Sequence, residues 1–154
     1  MGTQAETNNG NYLDILARYI ASAKYHDIPE DVRLHARYIV LDTIGAILSG
    51  SGEPENTALA VSLASTDERS TLFRLGFPKA ALEHAVLVNG TAGTAMEQDE
   101  GHPPVGHPAI YTLPALISLS EEIGASGEQL LEAFILSYEA YVRFATSIQF
   151  APGL

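Results

Sequence analysis

Apolar residues recur three and four positions apart over most of the chain, and that period predicts one helix after another. The first runs from about Tyr12 to Tyr25, with Leu13, Leu16, Ala17, Ile20 and Ala21 on one stripe. His26, Asp27 and Ile28 break it, and Pro29-Glu30-Asp31 opens a second helix. Proline in a first turn loses only an N–H that would be unpaired anyway, and the two acids meet the positive end of the helix dipole. This helix carries Val32, Ala36, Ile39, Val40, Thr43, Ile44 and Ile47 to Gly50-Ser-Gly52, where a glycine-type C-cap is expected. Its second half has little polar surface, which predicts burial nearly all round. Gly45 and Ala46 would then permit close helix contact, and Asp42 would be a buried carboxylate held by structural hydrogen bonds.

A shorter helix is expected from about Pro54 to Ala64, followed by an extended segment, Ser70 to Leu75, rich in β-branched and aromatic residues. A helix from about Pro78 carries Ala81, Ala85, Val88 and Ala92; Asn89-Gly90 marks a break, and Gly93 allows close backbone approach. Two long helices, 108–123 and 126–148, flank Gly124-Ala-Ser-Gly127. Ser126 and Gln129 fit a capping box, followed by Leu130, Phe134, Tyr138 and Val142 at helical spacing. Tyr19, Tyr25, Tyr38, Tyr111, Tyr138 and Tyr141 sit among aliphatics and read as core or interface, and His35 and His84 as ordinary helix residues. The fold class is all-α, a helical bundle-like domain over 12–154 preceded by a loose, disordered tail over 1–11.

At 154 residues, 46% of them hydrophobic and 18% charged, the chain can bury a real core. Its net charge of −11 argues against nucleic acid and anionic membranes as partners. It also suits an anionic substrate badly unless Lys or Arg gathers locally, and none lies between Lys79 and Arg143. The absence of cysteine removes disulfides, thiolate catalysis and Cys-ligated metal. No apolar run approaches the ~20 residues of a membrane span, and the first eleven residues lack the basic start and apolar core of a signal peptide. The default location is cytoplasmic.

Candidate chemistry concentrates between Glu97 and His107. Three carboxylates (Glu97, Asp99, Glu100) and two imidazoles (His102, His107) fall within eleven residues, on a backbone made irregular by Gly101, Pro103, Pro104 and Gly106. Acid and base groups on a loop held between rigid helices suit proton transfer, because a carboxylate beside an imidazole fixes its tautomer and raises its basicity. The duller reading has the carboxylates capping the next helix and the histidines as satisfied loop residues. A metal reading would use the same oxygens and nitrogens, but two histidines five apart on a Pro-rich loop meet no zinc spacing.

The residues also carry a resemblance. Arg37-Tyr-Ile-Val-Leu-Asp-Thr-Ile-Gly-Ala46 resembles the helix with a Leu-Asp-Thr-Ile-Gly core that opens the MmgE/PrpD family. Asn89-Gly-Thr-Ala-Gly-Thr-Ala-Met-Glu-Gln-Asp-Glu-Gly-His102 resembles its Asn-Gly…acid-x-Asp-Asp segment. His107-Pro108, Pro114-Ala-Leu and Ser120-Glu-Glu-Ile-Gly124 resemble its His-Pro-Gly…Pro-Ala-Leu…Ala-Glu continuation. The family contains 2-methylcitrate dehydratase, cis-aconitate decarboxylase and an iminodisuccinate epimerase.

The resemblance implies a large helical domain, a smaller α+β lid that this chain lacks, a homodimer, and no metal or organic cofactor. It implies proton removal next to a carboxylate of a di- or tricarboxylic acid, with loss of water or carbon dioxide. Glu97, Gly101 and His107 match active-site positions, so Glu97 and His107 are the expected catalytic pair, Asp99 and His102 supporting members, and Gly101 and Glu100 substrate contacts. Four positions depart from the common pattern. Glu97 and Glu100 stand where many relatives have Asp, Thr94 where they have His, and Ala109 where they have the Gly after His-Pro. Family members are far longer, and their later His, Lys and Tyr site residues lie past the position of Leu154. The expectation is therefore the N-terminal part of such a lyase, cut short before the basic half of the site and completed by a missing segment or complementary chain. The apolar Phe150-Ala-Pro-Gly-Leu154 fits such a border. The rival is a non-catalytic helical module that dimerises or binds a partner.

Overall fold

The computed structural model describes residues 11–66 and 68–148. The tail expected over 1–11 falls outside these except for Asn11, as does the apolar segment 150–154. Asn11 is the N-cap of the first helix, its side chain accepting from the backbone N–H of Leu13. The all-α expectation holds. Six helices appear among the described residues: α1 (Tyr12–Ser22), α2 (Glu30–Gly50), α3 (Pro54–Leu63), α4 (Leu82–Thr94), α5 (Pro108–Ile123) and α6 (Gly127–Ser147). None is long and apolar enough to cross a membrane.

α4 packs between α2 and α5, and α5 between α4 and α6, while α2 also reaches α5 and α6. The largest core cluster joins Ala36 of α2, Ala109, Leu113 and Ile117 of α5, and Leu131 and Phe134 of α6, with Tyr25 closing one end. Where α4 meets α2 and α5, side chains shrink. A Cβ on Gly50 would lie 2.0 Å from the carbonyl oxygen of Ala92, and one on Gly93 would lie 2.2 Å from Cδ1 of Ile110. The close approach read at Gly93 is therefore real. Gly50 earns its place the same way, since α2 ends through Ser51 in ordinary helical geometry rather than through a left-handed glycine.

Several expectations need correction. α1 stops at Ser22, and Tyr25–Asp27 forms a separate 3₁₀ turn. None of the α1 residues is buried, because the helix meets mainly α6. The second half of α2 is covered on one side only: Thr43, Ala46, Ile47 and Gly50 are buried, while Leu41, Asp42, Gly45 and Leu48 are exposed. Asp42 is thus a solvated carboxylate, and Gly45 has nothing within 4 Å of a built Cβ. An apolar run with no polar face calls for cover on both sides, and the described residues supply it on one.

Among the described residues the strands are β1 (Ser70–Thr71) and β2 (Lys79–Ala80), an antiparallel pair that replaces the expected start of a helix at Pro78. Nor does Asn89 mark a break. It lies buried inside α4, where its amide accepts from the Phe73 N–H at 2.9 Å and donates to the Thr71 carbonyl at 2.9 Å. One side chain thereby serves as a strand partner for the backbone at the end of β1. Asn89→Ala would strand both groups, at a cost of about 2–4 kcal/mol. Thermal unfolding should show that loss, with Asn89→Asp intermediate because the carboxylate keeps the acceptor and loses the donor.

Candidate active site

α4 delivers the chemistry-bearing loop and α5 receives it. After the last turn of α4, Glu97 takes a left-handed backbone (φ +51°), which costs a non-glycine residue about 1–2 kcal/mol. Its N–H still bonds the Thr94 carbonyl at 3.2 Å. That reversal turns the chain away from the helix and leaves the Glu97 carboxylate exposed, with no hydrogen bond or ion pair among the described residues. Among the described residues, the fold makes no use of this carboxylate.

Asp99 and His107 come together. Oδ2 of Asp99 lies 3.0 Å from Nδ1 of His107; the aspartate side chain is 3% exposed and the histidine 39%. Both facing atoms are shut off from solvent, and neither makes a hydrogen bond among the described residues, so the pair meets as a close charge contact rather than as an aligned N–H···O bond. The Nδ1 edge of the ring thus faces the carboxylate, and the Nε2 edge lies on the far side of the ring from it. Gly101 borders the same ring: a Cβ there would sit 3.9 Å from Cε1 of His107. His107 is also the residue immediately before α5, so the imidazole is carried on a rigid helix start.

Glu100 is engaged on both sides. One oxygen accepts from the Ala109 N–H at 3.2 Å and so caps the first turn of α5, for which His107 provides no side-chain cap. The other accepts from the hydroxyl of Tyr138 on α6. Burial raises the Tyr138 phenol well above its ordinary range, and the hydrogen bond and charge of Glu100 add to the shift. The duller reading, carboxylates capping the next helix, thus describes Glu100 well, and it does not describe Glu97 or Asp99.

His102 stands on the outer turn of the loop. Its N–H donates to the Gly106 carbonyl at 2.7 Å, and its own carbonyl accepts from Val105 N–H at 2.8 Å. Tyr138 hydroxyl lies 3.4 Å from its Nδ1, with the two rings edge-on at 5.9 Å. Tyr141, one turn further along α6, donates to the Val105 carbonyl at 2.9 Å. Sequence reasoning missed Tyr138 and Tyr141 as loop anchors. Their spacing from Phe134 marked them as one face of α6, but nothing local shows that their hydroxyls reach a loop more than thirty residues upstream.

The five titratable residues therefore divide into an exposed acid (Glu97), a shielded acid–imidazole pair (Asp99, His107), and an imidazole tied through Tyr138 to a structural carboxylate (His102, Glu100). Among the described residues no three or more His, Asp or Glu side chains converge as a metal site would require. A cleft of about 540 Å³ opens on the other side of Tyr138, between α1, α2 and α6, lined by Ile28, Val32, Ala36, Ile39 and Phe134.

A cis-aconitate decarboxylase-like protein of Aspergillus oryzae, oryM, is 26% identical over 151 residues, which cover 92% of this chain and 31% of the fungal protein. The chain thus spans less than a third of the length of that relative. The sequence pattern of the MmgE/PrpD N-terminal domain matches residues 14–152, a span that contains the Asp99–His107 pair and every helix that frames it. The chain belongs to the MmgE/PrpD family, of which it carries the N-terminal domain.

Proposed function

We propose that this domain is the N-terminal portion of a carbon–oxygen or carbon–carbon lyase that removes a proton next to a carboxylate of a di- or tricarboxylic acid. The carrying observation is the shielded Asp99–His107 pair at 3.0 Å, an acid set against the Nδ1 edge of an imidazole whose Nε2 edge is turned away from it. Glu97 and His107 handle protons; Asp99 and His102 orient. Gly101 keeps the approach to the His107 ring open, and Glu100 shapes the substrate side of the loop by holding it to α5 and α6. The name of the fungal relative, cis-aconitate decarboxylase-like, supports this substrate class.

Charge supports incompleteness. A substrate with two or three carboxylates needs cations close by, and no Lys or Arg occurs between residues 79 and 143. The basic groups are supplied by a further segment or a complementary chain, with a homodimer as the expected assembly and no nucleic acid or membrane partner. The test compares the pure 154-residue chain with the same chain joined to a C-terminal family segment, each offered cis-aconitate and 2-methylcitrate. Turnover only in the joined protein is expected. Turnover by the short chain alone would overturn the incompleteness, and an inert joined, folded protein would overturn the lyase reading.

One observation favours a second reading, a dimerisation or partner-binding module. Leu34, Tyr38, Leu41 and Leu48 lie along one stripe of α2 and are 41–68% exposed. Sedimentation of the chain as a clean monomer would count against it.

A further inference from the structure

We infer that Tyr138 sets the tautomer of His102: its hydroxyl, committed as a donor to Glu100, leaves only lone pairs facing Nδ1, so the ring carries its proton there and presents Nε2 unprotonated at the loop surface. The chemical use of that lone pair rests on the proton-transfer reading above; the tautomer does not.

A phenol has one proton to give. In this site it goes to the Glu100 oxygen, whose partner oxygen is already occupied by Ala109 N–H. An ionised carboxylate can only accept, so the direction of the Tyr138–Glu100 bond is fixed. The raised Tyr138 phenol keeps that proton through the whole range in which histidine titrates. What remains for Nδ1 of His102, 3.4 Å away, is an oxygen lone pair. A ring nitrogen lone pair in that position would repel it, whereas an N–H is attracted.

The ring is not free to turn away without loss. The backbone of His102 is held through Gly106 and Val105, Val105 is tied to Tyr141, and the His102 ring packs edge-on against Tyr138 at 84°. A solvated neutral imidazole favours the opposite tautomer, with the proton on Nε2. The environment must therefore reverse the intrinsic preference. Nδ1 of His107 likewise faces an oxygen, Oδ2 of Asp99 at 3.0 Å. Tyr138 is a positioning residue, acting through His102.

The experiment is nitrogen NMR of the imidazoles in the 154-residue protein at alkaline pH, with His102 assigned by its loss in His102→Gln. The expected signature is a protonated Nδ1 and an unprotonated Nε2 at His102. Tyr138→Phe removes the oxygen and should return the ring to Nε2–H. Glu100→Ala keeps the tyrosine but frees its proton, which then points at Nδ1; this variant should also give Nε2–H. Nε2–H in the wild type overturns the inference outright. Retention of Nδ1–H in either folded variant overturns the role of Tyr138. Because the readout needs no substrate, it stands or falls separately from any turnover result.

Discussion

Replacing His107 by Ala in an enzyme that carries this domain is expected to lower kcat/KM by about 10²–10⁴-fold, the range for losing a positioned proton-transfer group. The geometry behind the expectation is the 3.0 Å contact from Nδ1 to Asp99, which sets that edge of the ring against a shielded carboxylate. His107→Ala has a second consequence. It leaves a carboxylate that is 3% exposed with its inner oxygen unpaired, so some stability is lost as well. His107→Gln separates the two effects, because its amide can donate to Asp99 while offering no base. Near wild-type melting with turnover as low as in His107→Ala is the expected pattern. Asp99→Asn should fall between wild type and the His107 variants in turnover, since an amide can still hold the ring but can hold it in the wrong tautomer. Turnover within a few-fold of wild type in His107→Gln would reduce the pair to a structural contact.

The sequence made the helices legible because their local rules agree with their tertiary setting. Ser126 and Gln129 form the reciprocal cap that their spacing predicts, and Gly124 takes the left-handed turn that ends α5. Errors arose where a tertiary partner decided the outcome. Lys79-Ala80 has the composition of a helix start but pairs with Ser70-Thr71. Asn89 reads as a helix breaker and instead serves β1 from within α4. Asp42, in an apolar run, was expected to be buried, because pattern shows that a helix lacks a polar face without showing which face finds cover. The candidate site divides along the same line. The clustering of Glu97, Asp99, Glu100, His102 and His107 is visible in one dimension, and so is the irregular backbone between them. Which acid faces which imidazole is not. That depends on α6 bringing Tyr138 and Tyr141 against the loop from more than thirty residues away.

Phe134→Ala should be the most damaging single truncation for stability, and it links the core to the loop. Phe134 is 1% exposed and packs with Ala36, Ala109 and Leu113, where α2, α5 and α6 meet. Truncation of a buried Phe costs about 3–5 kcal/mol, against a total of about 5–15 kcal/mol for a domain of ordinary stability. The lower end applies here, because Phe134 also lines the 540 Å³ cleft. The vacated space would join an existing opening that water can fill, rather than become a sealed void, so the cavity penalty is smaller. At roughly 2–4 °C per kcal/mol, the melting temperature should fall by about 10 °C. Phe134 also stacks edge-on with Tyr138 at 6.0 Å, so its loss loosens the ring that anchors Glu100 and His102. The variant should therefore lose the Nδ1–H signature of His102 at temperatures where the helices remain folded, with Phe134→Leu showing a smaller version of both effects. A fall of less than about 3 °C, equivalent to roughly 1 kcal/mol, would place the stabilising core elsewhere. An unchanged His102 signature beside a large fall would mean that Glu100 holds Tyr138 in place without help from the core.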